Sequence, residues 1–248
     1  MTGDRTILSL TGADAEDFLQ NLVTNDLSRL EGRLVYAALL SPQGKYLADF
    51  FLTRQGDAIL LDVATGLAAD LARRLTMYRL RADVQIAQSP LKMSRGTGPA
   101  PDGALSDPRH PALGWRLYSE GALPEDGTNW DALRVEHVIP ESGIELRPDE
   151  SYILENGFER LSGVDFKKGC YVGQEVTARM KHKTELRKGL AQVAIEGTAP
   201  EGSEITAEGK PAGTLFTQSG QKALAYLRFD RTSGPLRAGD ATLRLLQT

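Results

Sequence analysis

Cysteine is almost missing from this 248-residue chain: Cys170 is the only one, and the three histidines, His110, His137 and His182, stand far apart. One thiol excludes an internal disulfide. It also excludes a self-contained iron–sulfur cluster or structural zinc site, each of which draws on about four ligands. Long apolar runs are missing too, so the sequence offers neither a membrane span nor the apolar stretch of a signal peptide near its start, and the cytoplasm is the expected compartment. Positive charge is not in excess: 29 lysines and arginines against 33 acids leave a net charge of −4. The whole chain is therefore not an electrostatic nucleic-acid binder, and any basic site has to be local. Hydrophobic residues make up 41%, enough for a core in one large domain or in two or three small ones.

Residues 163–179, GVDFKKGCYVGQEVTAR, hold the thiol. A lone cysteine is most often a small buried hydrophobe. This one follows Lys167, Lys168 and Gly169 and precedes a segment, 172–180, that reads as a short helix. Cations and a helix N-terminus both favour a thiolate. Gly169 and Gly173 remove side chains on either side, so that another backbone or a ligand can come close. A local basic run follows: Lys167, Lys168, Arg179, Lys181, Lys183, Arg187 and Lys188, against only Glu175 and Glu185. It reads either as a solvated helix face or as an anion site.

The element order upstream is strand (6–10), helix (11–25, opened by Thr11 and Asp14), strands at 34–40, 46–53 and 59–63, a helix from Thr65 with Leu67, Leu71, Leu75 and Tyr78 on one face, and a strand at 84–87. This is an α+β arrangement close to the split βαβ (ferredoxin-like) plan, with a mixed sheet. Residues 89–127 carry six prolines and read as a linker around one strand, 114–118. Thr128 with Asp131 opens a helix that Pro140 stops. Short strands separated by Gly202, Gly209, Gly220 and Gly239 predict a small C-terminal β-barrel or sandwich. The expected domains are an N-terminal lobe over 1–88, a middle lobe over 89–186 with the linker and the cysteine loop, and the barrel over 187–248.

The ungapped run Lys168-Gly169-Cys170-Tyr171-Val172-Gly173-Gln174-Glu175 resembles the signature of the YgfZ-type folate-binding proteins, relatives of the glycine cleavage T-protein that assist iron–sulfur cluster maturation. Leu22-Val23-Thr24-Asn25-Asp26, the turn 40–45, Tyr78-Arg79-Leu80-Arg81, Arg134 with Glu136, and Gly209-Lys210-Pro211-Ala212-Gly213 resemble the family in their usual order. The resemblance implies a T-protein-like three-lobed arrangement around a channel for tetrahydrofolate or a derivative. Cys170 would be the working thiol at its edge, and iron–sulfur assembly factors or client enzymes the partners. Lys168, Gly169, Tyr171, Gly173, Gln174, Glu175, Arg179 and Asn25 are then the candidate motif and ligand-binding residues, with no resident metal. An alternative is a tetrahydrofolate-dependent one-carbon transferase with Asp49 as its surviving carboxylate. Against it, the T-protein's catalytic acid corresponds to Ala48, and its pterin-holding glutamate to Arg116, a cation that accepts no hydrogen bond.

Overall fold

The computed structural model describes residues 4–28, 30–182 and 186–247. They fall into two compact units, one of residues 1–128, 148–150 and 158–178, the other of residues 129–147, 151–157 and 179–248.

In the first unit β1 (Arg5–Thr11), α1 (Ala15–Gln20), β2 (Val35–Leu40), β3 (Tyr46–Gln55), β4 (Ala58–Ala64), α2 (Thr65–Arg79) and β5 (Gln85–Gln88) follow one another. Their sheet has the order β2-β3-β4-β1-β5. Every ladder in it is antiparallel, so the expected mixed sheet is corrected. Without β2 the order is that of the split βαβ plan, and β2 extends it at one edge. Helix α1 is shorter than expected, because Val23 leaves the helical path to bridge Leu39. The helix α2 buries Ala68, Leu71 and Leu75 against Leu8, Leu10, Phe50, Leu61 and Val63 of the sheet. The opposite face of the same sheet is also buried, and there it carries Tyr36, Asp49, Phe51 and Asp62.

That second face is met by three strands, β6 (Lys92–Gly96), β7 (Leu105–Ser106) and β8 (Trp115–Ser119), in the order β6-β8-β7. The linker expected around one strand is thus an antiparallel sheet. The reading failed because β6, KMSRG, has no apolar alternation and earns its place by pairing with β8.

The second unit contains α3 (Trp130–His137), the end of α4 (Gln174–His182), and the strands β9 (Lys188–Glu196), β10 (Glu204–Ala207), β11 (Lys210–Ser219), β12 (Lys222–Arg228), β13 (Leu236–Ala238) and β14 (Ala241–Gln247). These six strands form a closed barrel around Val193, Ile205, Leu215, Leu227, Leu236 and Leu243. Glu208 and Gly209, at φ +49° and +75°, form the two-residue type I′ turn that joins β10 to β11. Helix α3 is capped by the Asn129 side chain, which accepts from Ala132 N–H, not by Thr128. Its Arg134 is buried and donates to Glu145 at 2.9 Å and to the Thr217 hydroxyl at 2.8 Å. Glu136 instead pairs at the surface with Lys222.

Candidate functional site

The cysteine loop hangs on residues 20–26, the stretch that leaves α1. Thr24 is buried, accepts from Ala38 N–H at 2.9 Å and donates its hydroxyl proton to the Gly163 carbonyl at 2.7 Å. Asn25 donates to the carbonyls of Tyr36 at 2.8 Å and Ser162 at 2.7 Å. Asp165 N–H closes the contact on Thr24 O at 3.0 Å. Lys168 then reaches back, its ammonium donating to the carbonyls of Gln20, Val23 and Asn25 at 2.7, 2.6 and 3.0 Å. Burial pushes its pKa down to about 8 against the pull of Asp26 and Asp165, and the three carbonyl acceptors favour the charged form. All three protons of the ammonium are engaged, so Lys168 acts as the loop's anchor. Its charge stays in the neighbourhood, but its donors are not aimed at the thiol.

Past the anchor the two glycines separate in role. Gly173 sits at φ +81°, and a Cβ there would lie 2.6 Å from Ser41 O and 3.1 Å from Gly44 Cα. Gly44, at φ +74° in the β2–β3 turn, faces back toward Val176 and Gly173. Hairpin and loop therefore touch backbone to backbone, which any side chain would prevent. Gly169 has open space around it, so the close approach expected there is absent. Between them Cys170 is exposed. Tyr171 is buried against the loop, with Lys168 Nζ 5.5 Å from its ring centre, and burial raises its pKa. Gln174 opens α4 two residues later than expected and donates to Gly169 O in a long, 3.4 Å hydrogen bond. Glu175 and Arg179 are exposed on α4. Of the basic run, Lys183 lies outside the described residues, as does its neighbour Glu185.

The charged face of the five-stranded sheet holds the other expected site residues. Asp49 is 3% exposed, and its two oxygens accept from the hydroxyls of Tyr36 at 3.0 Å and Tyr46 at 2.7 Å. Burial and Asp49 raise the Tyr36 pKa well above its ordinary value. Ala48 points the other way, into the apolar core under the helices. The alternation of the strand makes position 49, not 48, the one that presents a carboxylate to this face. Arg116 is 2% exposed, lies 3.7 Å over the Phe51 ring, and pairs with Asp62 at 3.0 Å and Asp107 at 3.1 Å. Arg5 joins Asp62 at 2.6 Å and Arg109 joins Asp107 at 2.9 Å. Burial pushes both carboxyls up, but the flanking guanidiniums outweigh it and hold them below the ordinary 3.8. Position 116 is thus closed to a ligand by its own ion pairs. Sequence reasoning missed this network, because an arginine that is buried looks no different in sequence from one in water.

What remains open is a cleft of about 830 Å³, lined by Asn25, Asp26, Arg33, Tyr36, Ser106, Glu159, Asp165, Phe166 and Lys167 among others. Its floor is the same 25–26 and 162–167 contact that carries the cysteine loop. Carboxylates, two cations and the Phe166 ring line a volume of the size small-molecule sites have. No group of three or more potential metal ligands occurs among the described residues.

The order of strands and helices in the first unit and the closed barrel in the second define an aminomethyltransferase-type fold with a C-terminal barrel. The GCVT N-terminal domain family matches residues 6–96, and the CAF17 C-terminal beta-barrel domain family matches residues 187–247. Among solved structures, the glycine cleavage system aminomethyltransferase T from Bartonella henselae superposes with a TM-score of 0.72 over 98% of this chain and 83% of that one, at 12% identity. That likeness is one of fold. The mitochondrial iron-sulfur cluster assembly factors IBA57 of Mus musculus and Homo sapiens are each 30% identical over 94% of this chain and 78% of their own length. The chain belongs to the IBA57 family. Because these relatives are named mitochondrial, the expected cytoplasmic location is overturned; the lack of a signal-peptide-like apolar stretch is a poor guide to compartment. No helix among the described residues is long and apolar enough to cross a membrane.

Proposed function

We propose that this protein is an accessory factor of iron–sulfur cluster assembly that works through Cys170, with the neighbouring cleft receiving tetrahydrofolate or a related folate. The observation that carries the reading is the mounting of the thiol. Cys170 is exposed, yet the loop on either side of it is fixed, by the Lys168 ammonium on one side and the Gly173–Gly44 contact on the other. A thiol that only fills space needs no such mounting. One that must meet a partner's ligands in a set geometry does. A single sulfur leaves most positions of a cluster to the partner, so the cluster is cargo and the partners are other assembly factors or client enzymes.

The folate half rests on the cleft. A folate at Arg116 is excluded by that residue's burial and ion pairs, so the ligand belongs at the open cleft. There Asp26, Glu159 and Asp165 present carboxylates to a pterin's amino groups, Phe166 is a ring surface, and Arg33 and Lys167 suit a glutamate tail. The carboxylate on which the transferase alternative relies, Asp49, has both its oxygens engaged by tyrosines.

In cells lacking their own copy, the parent chain should restore iron–sulfur enzyme activity. Cys170→Ala should not, while melting like the parent; full restoration by that variant would remove the thiol role. Calorimetric titration with tetrahydrofolate should give saturable binding that Lys167→Glu weakens about tenfold, and a flat titration would remove the folate half alone.

A further inference from the structure

The end of α2 exposes side chains that the fold has no use for. Leu80 is 88% exposed, Met77 65% and Tyr78 37%. Leu80 also has φ +47° and ψ −104°, the first central position of a type II′ turn, closed by Ala82 N–H on Arg79 O at 2.8 Å. Glycine is the ordinary residue there, and any other side chain is strained. The backbone has a reason to turn at this point. Arg79 donates to Val84 O at 3.0 Å, and Asp83 N–H donates to the Asp14 carboxylate at 2.7 Å, so both flanks are fixed. The leucine side chain has none. A strained backbone that carries a large apolar group in water is where a functional demand on residue type shows.

The surroundings are basic in a chain of net charge −4. Arg73 sits one turn before Met77, with its guanidinium 3.8 Å from the Met77 sulfur. Arg81 is exposed, with no ion pair among the described residues. The nearest acid on the helix, Asp70, is already shared by Arg73 and Arg74. Asp83 is turned to Ala13 N–H.

We propose that Met77, Leu80 and Arg81 form a docking surface for a protein partner that offers an apolar pocket bordered by carboxylates. A second copy of this chain is a poor occupant, because a two-fold contact would set Arg81 and Arg73 against their own equivalents. A lipid surface is a poor one as well. Membrane-lying helices need a long apolar face, and α2 spends its own, Ala68, Leu71 and Leu75, on the core. A single projecting knob ringed by cations fits a pocket. The restoration assay rests on the assembly role proposed above, whereas the melting measurement stands whatever becomes of the thiol.

Leu80→Gly separates stability from function. It should melt about 2–4 °C higher, because glycine relieves the turn, and yet restore iron–sulfur enzyme activity about tenfold less well than the parent in cells lacking their own copy. Arg81→Glu should melt like the parent and lose activity similarly. A lower melting temperature for Leu80→Gly removes the strain argument and the proposal with it, and full restoration by either variant does the same. A concentration-dependent dimer seen by light scattering, or sedimentation with vesicles of phosphatidylcholine and phosphatidylglycerol in equal parts, would overturn the proposal if Leu80→Gly abolished it.

Discussion

The two faces of the five-stranded sheet are equally dry and chemically opposite. Under the helices lie Leu8, Leu10, Phe50, Leu61 and Val63, where any side chain of similar size and polarity would fit. On the other face Tyr36, Asp49 and Asp62 meet Arg5, Arg109, Arg116 and Tyr118. There each charge depends on a named partner, and removing one strands the rest. The apolar face is tolerant and the polar face is specific. In the aminomethyltransferase-type fold it is the polar face that shapes the ground beside the cleft.

The contrast can be broken most directly at neighbouring positions of β4 that point to opposite faces. Asp62→Ala leaves Arg5 and Arg116 buried without their shared carboxylate, and should lower unfolding free energy by about 3–5 kcal/mol, read from urea midpoints. Leu61→Ala should cost about 3 kcal/mol, within the range for buried leucine truncations. If Asp62→Ala proves the milder, the polar face is not the specific one. Acid sharpens the comparison further. The carboxyls of Asp62 and Asp107 are held below 3.8 in the folded chain, so what they contribute is complete at neutral pH and is lost progressively as pH falls below about 4. The cost of Asp62→Ala should therefore shrink between neutral pH and about pH 3, whereas that of Leu61→Ala should not change. The smallest effect is expected from Tyr36→Phe. It takes one of two hydroxyls from Asp49 and should cost about 1–2 kcal/mol, with no change in fold by circular dichroism.

The apolar face was legible in sequence on α2, where Leu71 and Leu75 lie one turn apart; β1 and β3 read as strands, but with Phe50, Phe51 and Leu52 consecutive on β3 the sequence did not say which residues face the helices. The barrel was legible through its turns, Gly209 above all. The polar face was not. Its arginines come from three separate stretches, Arg5, Arg109 and Arg116, and nothing local in any of them says which carboxylate it will meet. For the same reason β6 and β7 were taken for linker. Of the candidate site, the exposed Cys170 was legible from the glycines and lysines beside it. The partition of labour among those neighbours was not: Lys168 went to carbonyls 143 to 148 positions away in the chain, and Gly169 to open space. Asn25 and Thr24 are recognisable in sequence only as part of a motif, whereas the structure gives both a task, that of clamping the 162–165 backbone.

In the second unit β10 pairs with β13 as well as with β11, so among the described residues each of the six strands has a neighbour on both sides. Such a ring gives an incoming strand nowhere to add. Misassembly by edge-to-edge stacking therefore has to begin in the first unit, where one sheet stops at β2 and β5 and the other at β6 and β7. There β5 is short, with Gln85, Ala87 and Gln88 exposed, a length and composition that give a foreign strand little to hold.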